Sequence, residues 1–158
     1  MRPALLLTLA AALACAEGEP PSYTRLEGLA PAPVRANGAA LVVFWATWCP
    51  PCREEIGSLR ALAREPPIPL ALVTFGEDDD DAPVREFFGG DPPPELGYRR
   101  DLERRAAAAL GVEVLPAAFL VVEGRLVARF SGSRDWNSRG MRRLLARLAS
   151  ETSPRPAR

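Results

Sequence analysis

The sequence has no histidine and no lysine; all 20 of its basic residues are arginine. Without histidine there is no Cys–His or Ser–His nucleophilic pair, and the common His-bearing metal sites are excluded. The arginine-only usage, with abundant alanine and 17 prolines, reads as codon bias rather than function. The 20 acidic residues cancel the basic ones, so formal net charge is zero and nothing argues for nucleic acid as a partner. No internal repeat and no haem-attachment motif is visible. Cysteine is scarce: Cys15, Cys49 and Cys52. The 158 residues suffice for one domain with a sizeable core.

Long apolar runs are also lacking. Ala4 to Ala14, after Arg2, has signal-peptide length and is short for a membrane-spanning helix. Residues 1–16 are therefore expected to be a signal peptide. Ala12-Leu13-Ala14 suits a signal peptidase, whereas Cys15 directly after it suits a lipoprotein signal with lipid on Cys15. The lipoprotein box is imperfect, with Ala12 where leucine is usual. An uncleaved anchor is the third option. Each places the domain in a periplasmic or other extracytoplasmic space, with membrane association only through a lipid or signal anchor. Residues 17–22 read as a tether, 23–150 as the domain, and 151–158 as a disordered tail.

What is present is concentrated at Phe44-Trp45-Ala46-Thr47-Trp48-Cys49-Pro50-Pro51-Cys52. The apolar Ala40–Trp45 run lacks alternation, as in a strand covered on both faces. It leads to a C-x-x-C pair at a predicted helix start. Pro51 suits the first turn of a helix running to Arg64. At a helix N-terminus, backbone N–H groups favour thiolate over thiol. Cys49 is expected to be the exposed nucleophile and Cys52 the resolving thiol. A disulfide closing so small a loop constrains little of the unfolded chain, so it makes a poor staple. Pro50 removes an N–H that would stabilise a sulfur, which favours a reductant. Trp48 is expected to shield the sulfurs and offer an apolar docking face; Trp45 reads as core. Glu55 lies one helical turn beyond Cys52 on the same side.

Further along, Pro69–Phe75 reads as a second buried strand. Asp78–Asp81 reads as a solvated acidic run leading into a helix at Pro83–Phe88. Gly89–Pro94 reads as a loop and Leu96–Arg99 as a short strand. Asp101–Leu110 reads as one helix capped near Asp101 and closed by Gly111. Ala117–Val122 and Leu126–Phe130 form a predicted hairpin about Glu123-Gly124. Asn137–Ser150 is a predicted last helix with Met141, Leu144, Leu145 and Leu148 as its apolar stripe. Tyr23–Asn37 reads as an irregular N-terminal hairpin.

The motif, with Arg53 and Glu55 after it, resembles the TlpA/ResA-type thiol–disulfide oxidoreductases of the thioredoxin superfamily. The resemblance returns at Leu115-Pro116-Ala117-Ala118-Phe119-Leu120-Val121 and more weakly at Gly132-Ser133-Arg134-Asp135-Trp136. It implies an α/β thioredoxin-like fold: a central mixed sheet flanked by helices, with a helix–strand unit inserted between the CxxC helix and the cis-Pro strand. It implies that Pro116 is cis against the disulfide, that Leu115 pairs with a substrate backbone, and that Glu55 tunes proton uptake by the thiols. It implies no cofactor beyond the redox-active Cys49–Cys52 disulfide, and no metal. The implied partners are protein thiols or disulfides, apocytochrome c among them, and a membrane thiol donor.

There are two departures. Val43 stands where relatives carry a buried Asp or Asn, so no proton relay runs through that position. Gly57 replaces a helix-kinking proline. Copper-delivering relatives normally add a histidine ligand, which this chain lacks. A thiol peroxidase lacks support because Ala46 replaces the required threonine. A general periplasmic reductase or isomerase, and a metal-binding or adaptor module using the CxxC, stay open as alternatives.

Overall fold

The computed structural model describes residues 38–152. The expected signal peptide, Cys15, the tether, the N-terminal hairpin and residues 153–158 of the expected tail lie outside the described residues.

Five strands form one mixed sheet in the order β3-β2-β1-β4-β5. β1 (Ala39–Trp45) lies at its centre, parallel to β2 (Leu70–Gly76) and antiparallel to β4 (Ala117–Val122). β2 continues parallel to the short β3 (Tyr98–Arg100), and β4 turns into the antiparallel edge strand β5 (Arg125–Ser131). Every residue of β1 is buried, which accounts for its unalternating sequence.

The pleat divides β1 between two apolar layers. Leu41, Val43 and Trp45 pack with Ile56 and Leu59 of α1 (Pro50–Arg64) and with Leu145 and Ala149 of α4 (Arg139–Thr152). Val84, Phe87 and Phe88 of α2 (Ala82–Phe88) join this layer. Ala40, Val42 and Phe44 face the other way, against Ala106 and Ala107 of α3 (Arg105–Ala109), with Leu110 just beyond it. Burying each large side chain here contributes roughly 1.5–3 kcal/mol. Trp45, fully buried, meets the rings of Phe87, Phe88 and Tyr98 at 5.8–6.2 Å between centroids.

The α/β class, the mixed sheet and the inserted helix–strand unit agree with the sequence. Several details differ. The helical spacing of Ile56, Leu59 and Ala63, with Leu62 beside them, predicts the inward face of α1; the buried residues are Cys52, Glu55, Ile56, Leu59 and Leu62, with Ala63 only half-buried. In α4 Leu145 and Ala149 are buried while Leu144 is exposed, and the helix runs to Thr152. The stretch expected to be one helix over 101–110 is a 3-10 turn, Leu102–Arg104, followed by α3. Within that turn Glu103 (φ 55°) and Arg104 (φ 54°) are left-handed, a cost of order 1 kcal/mol each for residues with a Cβ. A second 3-10 turn, Pro94–Leu96, stands where the predicted loop meets β3. Gly97 follows it at φ 54°, and a Cβ there would run into the Leu72 carbonyl oxygen.

Candidate active site

The site is built where β1 ends and α1 begins. Cys49 is the N-cap of α1, extended at φ −98° and ψ 101°. Its carbonyl accepts from the Cys52 N–H at 3.0 Å and the Arg53 N–H at 3.2 Å. Pro50 and Pro51 fill the next two positions, where no N–H is needed for helix bonding. The turn brings the Cα atoms of Cys49 and Cys52 to 5.3 Å, and the two sulfurs form a disulfide. Cys52 is fully buried; Cys49 keeps 6% of its surface exposed. In the disulfide form, then, Cys49 is less open than its reading as an exposed nucleophile, though it is the sulfur that borders a groove.

That groove, about 750 Å³, is lined by both faces of the chemistry. Trp48, Pro50 and Leu115 contribute beside Cys49, with Val114, Glu77, Asp79, Glu113 and Arg104 around them. Trp48, 66% exposed, lines the groove beside Cys49. The Leu115–Pro116 peptide is cis. Leu115 and Pro116 precede the first residue of β4 that pairs with β1, and the Pro116 carbonyl accepts from the Gly132 N–H at 2.9 Å.

Glu55 is a buried carboxyl, 2% exposed, on the buried face of α1 with Cys52. Its Oε2 accepts from Trp136 Nε1 at 3.0 Å and from the Arg134 N–H at 3.3 Å. Oε1 has no protein partner among the described residues. Burial pushes its pKa up from 4.5 to about 7, against the lowering effect of the Trp136 and Arg134 donors. Trp136 is itself buried, edge-on to Phe130 at 5.4 Å. Its N–H anchors α1 to the segment after β5. The sequence points to Glu55 by spacing, but gives no sign of a partner 81 residues away.

The acidic run does more than the solvated reading allows. Asp79 and Asp80 are exposed, but Asp78 is 5% exposed and binds the redox loop. The Thr47 N–H donates to its Oδ1 at 3.3 Å and Oδ2 at 3.1 Å, and the Thr47 hydroxyl donates to Oδ1 at 2.5 Å. This ties the segment between Trp45 and Cys49 to the end of β2. Neither residue stands out in sequence, because an acidic run beside a proline reads as a helix start.

Glu77 was equally hidden. Its side chain is 1% exposed, and its Oε2 accepts from Arg104 Nε at 2.8 Å. Burial, with Asp101 nearby, raises its pKa to about 7 against the opposing pull of Arg104. Asp101 is the cap expected of it, but across the kink: its two oxygens accept from the Ala106 and Ala107 N–H groups at 2.8 Å each. Val43 is fully buried in the α1 layer and offers no polar atom to the thiols.

No family model matches the chain. It is similar to a thiol:disulfide interchange protein DsbE homolog of Paracoccus denitrificans, with 32% identity over 124 residues, 75% of this chain and 66% of that protein. It is also similar to a thioredoxin of Chlamydia muridarum, with 32% identity covering 65% of this chain and 78% of that one. Matches to four thiol:disulfide interchange proteins span between 54% and 66% of their lengths. Among solved structures, the exposed lipoprotein thioredoxin Etrx1 of Streptococcus pneumoniae superposes with a TM-score of 0.60 at 19% identity, covering 73% of this chain and 86% of that one, a likeness of fold. With this fold, a CxxC disulfide at the head of α1 and a thioredoxin aligned over most of its length, the chain belongs to the thioredoxin-like thiol–disulfide oxidoreductases.

Proposed function

We propose that the protein is an exported protein-disulfide reductase working through Cys49 and Cys52. The observation that carries this reading is the Cys49–Cys52 disulfide at the start of a 15-residue helix, with Cys49 bordering a groove that also contains Leu115, next to the cis Pro116. The helix N-terminus favours the Cys49 thiolate. Cys49 attacks a client disulfide and forms a mixed disulfide, and the released client sulfur takes a proton. Cys52 then attacks Cys49, the second client sulfur leaves, and the enzyme ends oxidised. Two electrons pass to the client and two protons accompany them.

Glu55 is the group that takes the Cys52 proton in this scheme. Its carboxyl, held near 7, exchanges a proton readily at neutral pH. Leu115 offers its backbone to the client strand beside Cys49, and Trp48 its exposed ring. The direction is reductive. Pro50 and Pro51 place no backbone N–H near the Cys49 sulfur, so the thiolate is stabilised less than in a motif that keeps those donors. No cofactor beyond the two sulfurs enters the scheme.

By resemblance, the clients are protein thiols such as those of apocytochrome c, the electrons come from a membrane thiol protein, and the compartment is periplasmic, with Cys15 as a lipid anchor. Similarity to proteins named thiol:disulfide interchange protein supports the exchange chemistry. The test is capture. A Cys52→Ser variant should accumulate mixed disulfides with client proteins through Cys49, while Cys49→Ser should capture none and lose reductase activity by a thousandfold or more (roughly,). Equal capture by both variants would remove Cys49 from the role.

A further inference from the structure

Two hydrogen-bonded links tie the end of β2 to the segment that carries Cys49, and the exchange scheme uses neither. The Glu77 N–H donates to the Trp45 carbonyl at 2.9 Å, which extends the β1–β2 pairing to the last residue of β1. One residue on, Asp78, 5% exposed, turns its carboxylate onto Thr47. Its oxygens accept from the Thr47 N–H at 3.1 and 3.3 Å and from the Thr47 hydroxyl at 2.5 Å. Hydrogen bonds to a carboxylate are roughly twice as strong as neutral ones.

Thr47 and Trp48 are the corners of the turn between β1 and α1. Within the turn, the Cys49 N–H reaches the Ala46 carbonyl only at a long 3.3 Å. Nothing at the head of α1 can hold the turn by its amides, because Pro50 and Pro51 have no N–H. Trp48 does not hold it either: its ring, 66% exposed, has no stacking, cation or hydrogen-bond partner among the described residues. The Asp78 carboxylate is the side chain that fixes this turn from outside it. What the turn carries is the client-facing part of the site, Trp48 and Cys49, which share the groove with Leu115.

We infer that Asp78 and Thr47 are positioning residues of the exchange reaction: through the turn they hold the Cys49 sulfur and the Trp48 ring in a fixed relation to Leu115. A client strand lying along Leu115 then brings its disulfide in line with Cys49 without a search over turn conformations. Misplacing a reacting atom by about 1 Å can cost on the order of a hundredfold in rate. A small disulfide makes no use of Trp48 or Leu115 and gains little from that fixed relation. Loosening the turn should therefore penalise an extended client more than a small disulfide, whereas loss of folded protein would lower both rates alike.

This inference rests on the reductase reading above, and the experiment separates the two. The protein in its dithiol form is mixed with hydroxyethyl disulfide and, separately, with an extended synthetic peptide disulfide. Second-order rate constants are read for each, and the peptide rate is divided by the hydroxyethyl disulfide rate. Asp78→Asn keeps the size but offers a single acceptor oxygen and turns an amide N–H toward a donor, so its ratio should fall roughly tenfold. Thr47→Val keeps the shape and the backbone N–H but removes the hydroxyl, and its ratio should fall roughly threefold. Thr47→Ser keeps the hydroxyl and should restore most of the ratio. The two Thr47 variants carry the test by themselves should Asp78→Asn fail to fold. A ratio unchanged in Asp78→Asn and Thr47→Val, or no better in Thr47→Ser than in Thr47→Val, would overturn the positioning role and leave the reductase intact. Failure of the unaltered protein to reduce either disulfide would overturn both.

Discussion

Two buried glutamates, Glu55 and Glu77, share a raised pKa but differ in the partners that hold them. Glu55 and Glu77 are both pushed to about 7 by burial. Glu55 is held by neutral donors, an indole N–H and a backbone N–H, on the side of the sheet where β5 leads into α4. Glu77 sits at the end of β2, held by a guanidinium and crowded by a second carboxyl. Glu55 lies on the buried face of α1 with Cys52 and Ile56; Glu77, its side chain 1% exposed, belongs to the wall of the groove. A carboxyl in a closed apolar pocket can change protonation with little rearrangement, which suits proton exchange with a buried thiol. A buried carboxyl already paired with Arg104 and beside a second acid is tied into a charged network, so its titration is coupled to those partners. Equal pKa values therefore do not imply equal roles.

The largest effect that should break this comparison comes from Trp136. Trp136→Ala removes a fully buried ring and the donor to Glu55, and should lower stability by about 3–5 kcal/mol in chemical denaturation. Trp136→Phe keeps most of the bulk and should raise the Glu55 pKa above about 7 as followed by carboxyl NMR, leaving Glu77 where it is.

The next effect is in pH dependence. Each carboxyl has its folded pKa raised from 4.5 to about 7, so its contribution is fully present below about 4.5 and is lost as pH rises through about 7. Stability of the oxidised protein should therefore fall from pH 5 to pH 8. Glu55→Gln should flatten that slope by about 2–3 kcal/mol. Glu77→Gln should flatten it less, because replacing the carboxylate also breaks the bond to Arg104. Equal slopes in the two variants would argue that the pockets are equivalent.

Smaller effects follow at the loop and the helix. Asp78→Ala leaves the Thr47 N–H and hydroxyl without their acceptor and should cost about 1–3 kcal/mol. It should also speed local opening around Trp48 in amide exchange. Gly57→Ala should stabilise the protein by about 0.5–1 kcal/mol, since a Cβ there meets nothing within 4 Å in the middle of α1.

The inner side of the site was legible in the sequence and the outer side was not. The unalternating Ala40–Trp45 run required a strand buried on both faces, and the cysteine spacing required a helix start. Glu55 followed from its place one turn after Cys52. What sequence could not supply were contacts across the fold: Trp136 to Glu55, Asp78 to Thr47 and Arg104 to Glu77. Asp78 and Glu77 sit beside exposed acids of the same type, and only the burial at the end of β2 distinguishes them. The kink at Glu103 and Arg104 was masked by residues that favour helix, and tertiary packing of Asp101 on the first turn of α3 overrode that preference.

The most direct test of the central claim is the reduction potential of the Cys49–Cys52 pair, measured on the protein equilibrated in thiol buffers. A helix start with two prolines and few donors to the Cys49 sulfur predicts a value near or below that of thioredoxin, about −270 mV. A value near that of the oxidant DsbA, about −120 mV, would contradict the reductase account and assign the dithiol to disulfide formation.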